Sequence, residues 1–79
     1  MIFFLLIPIF SSTIDIFQDK MGNIYEGEVL EGKKHGKGVL KFRNGDIYTG
    51  QFFQDEAHGQ GKYTWPNGEY FEGDYVHNV

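Results

Sequence analysis

Shifting the chain by 23 residues lays it over itself, and no other feature narrows its fold so far. Gly22-Asn23-Ile24-Tyr25-Glu26-Gly27-Glu28 falls on Gly45-Asp46-Ile47-Tyr48-Thr49-Gly50-Gln51, and that segment falls on Gly68-Glu69-Tyr70-Phe71-Glu72-Gly73-Asp74. His35-Gly36-Lys37-Gly38 meets His58-Gly59-Gln60-Gly61, and Asn44-Gly45 meets Asn67-Gly68. A constant period marks a stacked architecture whose units bury their apolar faces against one another. The units run 22–44 and 45–67, with a partial third at 68–79, and together form a repeat domain over 22–79. Ser12 and Thr13 stand where His and Gly would open a preceding motif, so residues 14–21 read as a degenerate cap and 1–13 as a separate apolar segment.

Within each unit the apolar positions alternate with period two and the breaks are Gly and Asn, which predicts two short strands per unit. The predicted strands are Ile24 to Leu30, Gly38 to Phe42, Ile47 to Phe53, Gly61 to Trp65 and Glu69 to Tyr75. One face then carries Tyr25, Gly27, Val29, Gly38, Leu40, Phe42, Tyr48, Gly50, Phe52, Gly61, Tyr63, Trp65, Phe71, Gly73 and Tyr75. The other is mostly Glu, Lys, Thr and Gln. An aromatic content of 18% beside eleven glycines supports an all-β class. Matching the faces of antiparallel neighbours sets Gly27 beside Leu40 and Leu40 beside Gly50, glycine next to bulk, which explains glycine inside strands. Keeping Phe42 and Tyr48 on one face across Asn44-Gly45 favours a three-residue loop with a bulge.

These residues resemble the MORN (membrane occupation and recognition nexus) repeat. The likeness covers about 22–75, carries Tyr-x-Gly and His-Gly-x-Gly twice, and departs at Phe71, where tyrosine is usual. It implies an elongated, twisted, single-layer antiparallel sheet of tandem β-hairpins with a shallow aromatic groove. It implies no single activity, although such repeats also occur beside lipid kinase and protein methyltransferase domains.

The residue totals exclude several functions. A chain of 79 residues forms one small domain with a thin core, and no cysteine is present to supply a disulfide, a thiolate ligand or a nucleophile. A formal charge of -4 argues against nucleic acid as a partner. Met1 to Phe10 is apolar apart from Pro8, and its length is about half of the roughly 20 residues a helix needs to cross a bilayer. Its readings are an edge strand, a signal-like core followed by a weak cleavage pattern at Ser11 and Thr13, or an artefact of where the chain was taken to start. The expected location is cytoplasmic, peripheral at membrane or cytoskeleton, with secretion left open.

No constellation points to catalysis or to a small-molecule substrate, cofactor or metal. His35 and His58 recur once per unit and read as turn residues, while His77 is out of register with both. Gly36-Lys37-Gly38 lacks the following helix of a phosphate loop. Glu26 with Glu28, and Asp55 with Glu56, read as solvated carboxylates without a pocket. Two binding surfaces stand out. Tyr25, Phe42, Tyr48, Phe52, Tyr63, Trp65, Phe71 and Tyr75 are expected to stay partly accessible along a groove and to bind a protein partner or a second copy, helped by open sheet edges. Lys33, Lys34, Lys37, Lys41 and Arg43 cluster around the first hairpin, three of them in an expected exposed turn, and offer the alternative of an anionic phospholipid surface. The sequence therefore favours a non-catalytic interaction or scaffolding module.

Overall fold

The computed structural model describes residues 13–77, so the readings of Met1–Phe10 fall outside the described residues. Six strands form one antiparallel sheet in sequence order: β1 (Thr13–Gln18), β2 (Ile24–Leu30), β3 (Lys33–Lys41), β4 (Ile47–Phe53), β5 (Glu56–Thr64) and β6 (Tyr70–Tyr75). Each strand pairs with the next, so the chain is a run of hairpins and the described residues include no helix.

Two kinds of connection alternate. At one end the loops have three residues and match the expected bulged hairpin. Gly45 N–H donates to Phe42 O at 2.9 Å, Phe42 N–H donates to Asp46 O at 2.8 Å, and Gly45 takes φ of 101°. The same bonds recur between Trp65 and Gly68 and between Trp65 and Glu69, with Pro66 entering the turn where its fixed φ is suited. Lys20-Met21-Gly22 makes a third such loop between β1 and β2. At the other end the connections have two residues, both left-handed: Glu31 (φ 53°) with Gly32 (φ 79°), and Gln54 (φ 50°) with Asp55 (φ 74°). This is the primed turn that matches strand twist, built at Gln54-Asp55 without glycine.

Three expectations are corrected. β1 adds a strand, and β3 and β5 begin at Lys33 and Glu56 rather than at Gly38 and Gly61. The His-Gly-x-Gly segments are therefore bulged strand rather than loop. Between the pairs Gly27–Gly38 and Val29–Lys34, one residue of β2 opposes three of β3, and the step recurs between Gly50–Gly61 and Phe52–Ala57. Finally, Leu40 pairs with Tyr25 and Tyr48, and glycine pairs with glycine: Gly27, Gly38, Gly50, Gly61 and Gly73 form one row across the sheet. The loop is centred on Asn44 rather than Gly45, and a one-residue change of centre moves every cross-strand partner by two.

Both faces follow from this register. Phe17, Tyr25, Leu40, Tyr48 and Tyr63 share one face, which holds the whole core: Tyr25, Tyr48, Phe52, Ala57 and Tyr75 are buried, and Phe17, Val29, Leu40, Phe42 and Tyr63 pack against them. Because the described residues form a single layer, each core ring is covered by its neighbours on the same face.

A candidate interaction groove

The glycine row gives the tyrosines their seats. The Tyr25 ring lies across Gly38, where an added Cβ would stand 2.2 Å from the hydroxyl oxygen, and Tyr48 lies across Gly61 at the same spacing. Each hydroxyl then reaches over its own strand's bulge: Tyr25 Oη donates to Glu28 O at 2.6 Å and Tyr48 Oη to Gln51 O at 2.9 Å. Rings interlock edge to face, with Tyr48 centred 5.0 Å from Phe52 and 5.2 Å from Tyr75, and Tyr25 centred 5.3 Å from Phe52. Edge-to-face pairs of this kind add to the stabilisation from area burial. Desolvation on burial, with the charges of Glu28 and Asp55 behind it, pushes the Tyr25 phenol up to about 12. Burial also raises Tyr48 and Tyr75 above the ordinary phenol value.

Beside this core runs a groove of about 360 Å³ whose floor and walls are Leu40, Phe42, Tyr48, Phe52, Ala57, Tyr63 and Tyr75. Polar pairs mark its two ends. At one, Asp55 Oδ1 accepts from Lys34 N–H at 2.8 Å, lies 3.5 Å from Lys34 Nζ, and faces a reciprocal bond from Asp55 N–H to Lys34 O at 2.9 Å. This ties the turn of one hairpin to the first residues of the preceding β3. At the other, Tyr63 Oη donates to the buried Asp46 Oδ2 at 2.6 Å, while Asp46 N–H donates to Asn44 Oδ1 at 2.9 Å. Desolvation first, then this hydrogen bond and the charge of Asp46, push the Tyr63 phenol up to about 12.

Of the eight expected groove residues, the structure leaves four accessible. Tyr25, Tyr48, Phe52 and Tyr75 are core, contrary to the expectation of partial exposure, because neighbouring rings cover them. Phe42 and Tyr63 are half-buried, and Trp65 (41%) and Phe71 (53%) are exposed. Phe42, Tyr63 and Trp65 form a run of tilted rings 5.7 and 5.3 Å apart along the groove's rim. Phe71 occupies the tyrosine position of β6, lies over Gly73 and meets the Tyr75 ring edge to face at 5.9 Å. Asp55, read from the sequence as a solvated carboxylate without a pocket, instead lines the groove and pairs with Lys34. Ala57 escaped the sequence reading because its segment was taken for a loop; its pairing with Phe52 in the alternation of β5 was the signal that could have found it.

The basic residues do not form one surface. Lys34 lies on the groove face, its ammonium 5.8 Å above the Tyr25 ring, whereas Lys33, Lys37 and Lys41 belong to the opposite face and Arg43 to a turn. Lys33, Lys34 and Lys37 stand in β3 rather than in an exposed turn, and Glu26 and Glu28 stand among them. Glu28 Oε1 caps Lys37 N–H and fills the space over Gly36, and Gln51 Oε1 does the same for Gln60 N–H at 2.8 Å over Gly59. That explains both motif glycines, whose φ values of 76° and 94° also require them.

The histidines pack as rings on the face opposite the groove instead of serving turns. His35, Phe53, His58 and His77 follow one another at 5.4, 6.0 and 5.5 Å, so His77 meets His58 despite its different register. His77 Nδ1 lies 2.8 Å from Glu56 Oε1. Among the described residues no group of three His, Asp or Glu side chains could hold a metal ion, and no helix is long and apolar enough to cross a membrane. The opposite face also carries a shallower depression of about 670 Å³ along the glycine row, lined by Glu26, Lys37, Gln51 and Gln60 and by no aromatic ring.

A single sheet that repeats one hairpin unit, with its core on one face, defines a tandem-hairpin repeat protein. The sequence model of the MORN repeat matches residues 25–47 and 48–70, and the chain belongs to the MORN repeat family. The matched units keep the 23-residue period, framed three residues later than the units read from the sequence. None of the curated proteins compared with the chain matches it.

Proposed function

We propose that the protein is a non-catalytic interaction module that holds a protein partner along the groove between Lys34–Asp55 and Tyr63–Asp46. The observation that carries this reading is the groove itself. Its walls are apolar rings, its ends are polar, and the Phe42–Tyr63–Trp65 run continues it onto exposed surface. Aromatic side chains on a rigid backbone give large contact area at low entropic cost and dominate binding energetics. Membrane recruitment is the less supported reading, because the basic side chains are divided between two faces and alternate with carboxylates.

Paired variants test the proposal. Phe42→Ser with Trp65→Ser alters the groove rim, and Tyr70→Ser alters the far face. After circular dichroism establishes that both fold, each is used to recover partners from the native cell extract. A partner depleted about tenfold by the rim variant and retained by Tyr70→Ser supports the reading, consistent with a rim contribution above 1 kcal/mol. Equal recovery by all three proteins overturns it.

A further inference from the structure

We propose that the segment held in this groove is apolar and carries arginine or lysine side chains, an inference that rests on the groove reading above and specifies its ligand chemistry. Charge is divided unequally between the faces. Among the described residues the groove face carries Asp15, Asp46, Asp55 and Glu69 against Lys34. The opposite face carries Glu26, Glu28, Glu56, Glu72 and Asp74 against Lys33, Lys37, Lys41 and Lys62. In the loops Asp19 and Glu31 offset Lys20 and Arg43, so three of the four net negative charges belong to the groove face.

Hydrogen-bond polarity points the same way. The Tyr48 and Tyr63 hydroxyl protons are committed to Gln51 O and Asp46 Oδ2, which leaves oxygen lone pairs, not donors, for an arriving group. Lys34, the one cation of this face among the described residues, is largely covered over the Tyr25 ring, with its side chain 19% exposed against 48% for Asp55, so the outward member of the pair is the carboxylate. At the groove itself ring faces, the Tyr48 and Tyr63 oxygens and the exposed Asp55 carboxylate are on offer, with the remaining acidic excess of the face around them, and the complementary group is a donor-rich cation on an apolar stem. This sheet's tyrosine faces already take ammonium groups: Lys62 Nζ sits 4.3 Å from the Tyr70 ring centre on the other side.

Calorimetric titration of the full chain with three short peptides tests the inference. Each alternates leucine with one other residue: arginine, glutamine or glutamate. The protein variants are Asp55→Asn with Glu69→Gln, which removes charge while Asn keeps an acceptor for Lys34 N–H, and Glu72→Gln with Asp74→Asn as an equal change on the far face. The arginine peptide is expected to bind at least about fivefold tighter than the glutamine peptide, with the glutamate peptide weakest, as a few partly desolvated charge contacts would give. The groove-face double variant should remove most of that preference and the far-face variant should leave it. Equal affinity for arginine and glutamine peptides, both lost in Phe42→Ser, overturns the charge inference while the groove reading survives. Equal loss of preference in the two double variants assigns it to overall charge and overturns the inference. Absence of binding by every peptide overturns it as well.

Discussion

Substituting one glycine of the cross-sheet row tests whether that row is the seat of the core tyrosines. At Gly61 an added Cβ would stand 2.2 Å from Tyr48 Oη and 2.5 Å from two of its ring carbons, too close for any adjustment short of moving the ring. Tyr48 is 2% exposed and wedged against Phe52 and Tyr75. Overpacking of this kind costs about 1–3 kcal/mol. Losing the hydroxyl's bond to Gln51 O adds about 1 kcal/mol. The stiffer unfolded chain returns about 0.4–1 kcal/mol, so Gly61→Ala should lose roughly 2–3 kcal/mol net. That is a large part of the roughly 4–12 kcal/mol expected for a chain of 79 residues, and it corresponds to a fall in Tm of roughly 10–20 °C. Gly73→Ala is the internal control. It belongs to the same row, but its Cβ would meet only the Phe71 ring at 3.2 Å, and that ring is 53% exposed and can swing away. Its net change should lie within about 0.5 kcal/mol of zero, the unfolded-state gain offsetting a small displacement. Thermal unfolding followed by circular dichroism measures both. A Gly61→Ala protein that melts no lower than Gly73→Ala would refute the seating argument.

Other consequences are open to equally direct measurement. Tyr48→Phe removes only the hydroxyl that donates to Gln51 O, and urea unfolding should register a loss of about 1 kcal/mol, less than the effect of Gly61→Ala. Gln54→Gly relieves a left-handed residue (φ 50°) at a primed turn and should stabilise the protein by about 0.5–1 kcal/mol in the same assay, whereas Gln54→Val should destabilise it. The tyrosines set the alkaline limit. Burial holds the Tyr25 and Tyr63 phenols up to about 12, against an ordinary phenol value of 10, so the stability they contribute is fully present below pH 10 and is lost as pH rises through about 12. Ultraviolet titration of phenolate should show two or more groups ionising with unfolding above the free-tyrosine range; reversible titration of every tyrosine near 10 with the fold intact would contradict the burial assigned to them.

Several parts of this architecture were legible in the chain alone. Period-two alternation and the Asn44-Gly45 and Asn67-Gly68 loops depend on neighbouring residues, and such signals are already present before any strand pairs. They sufficed for the all-β class, the two faces and the bulged three-residue loops. The second kind of turn was less visible, because Gln54-Asp55 adopts a primed turn without the residues that usually announce one, held by Asp55 bonding to Lys34 from the hairpin before. His-Gly-x-Gly looked like a loop for a related reason. Its first glycine makes room for the Glu28 or Gln51 side chain of the adjacent strand and its second seats Tyr25 or Tyr48, requirements invisible within the motif itself.

The 23-residue period determined what the unit is and how many times it is matched, since a repeated local pattern must fold into a repeated local structure. Which rings are core and which are surface was decided only in three dimensions. Tyr48 and Trp65 lie on the same face in the same alternation, yet one is enclosed by Phe52, Tyr75 and the glycine row while the other meets Tyr63 and then solvent. Burial in a single-layer sheet depends on the cross-strand neighbours of each ring, and those neighbours are set by register. For the same reason the place of Asp55 on the groove face shows only once its turn is tied to Lys34 of the preceding hairpin.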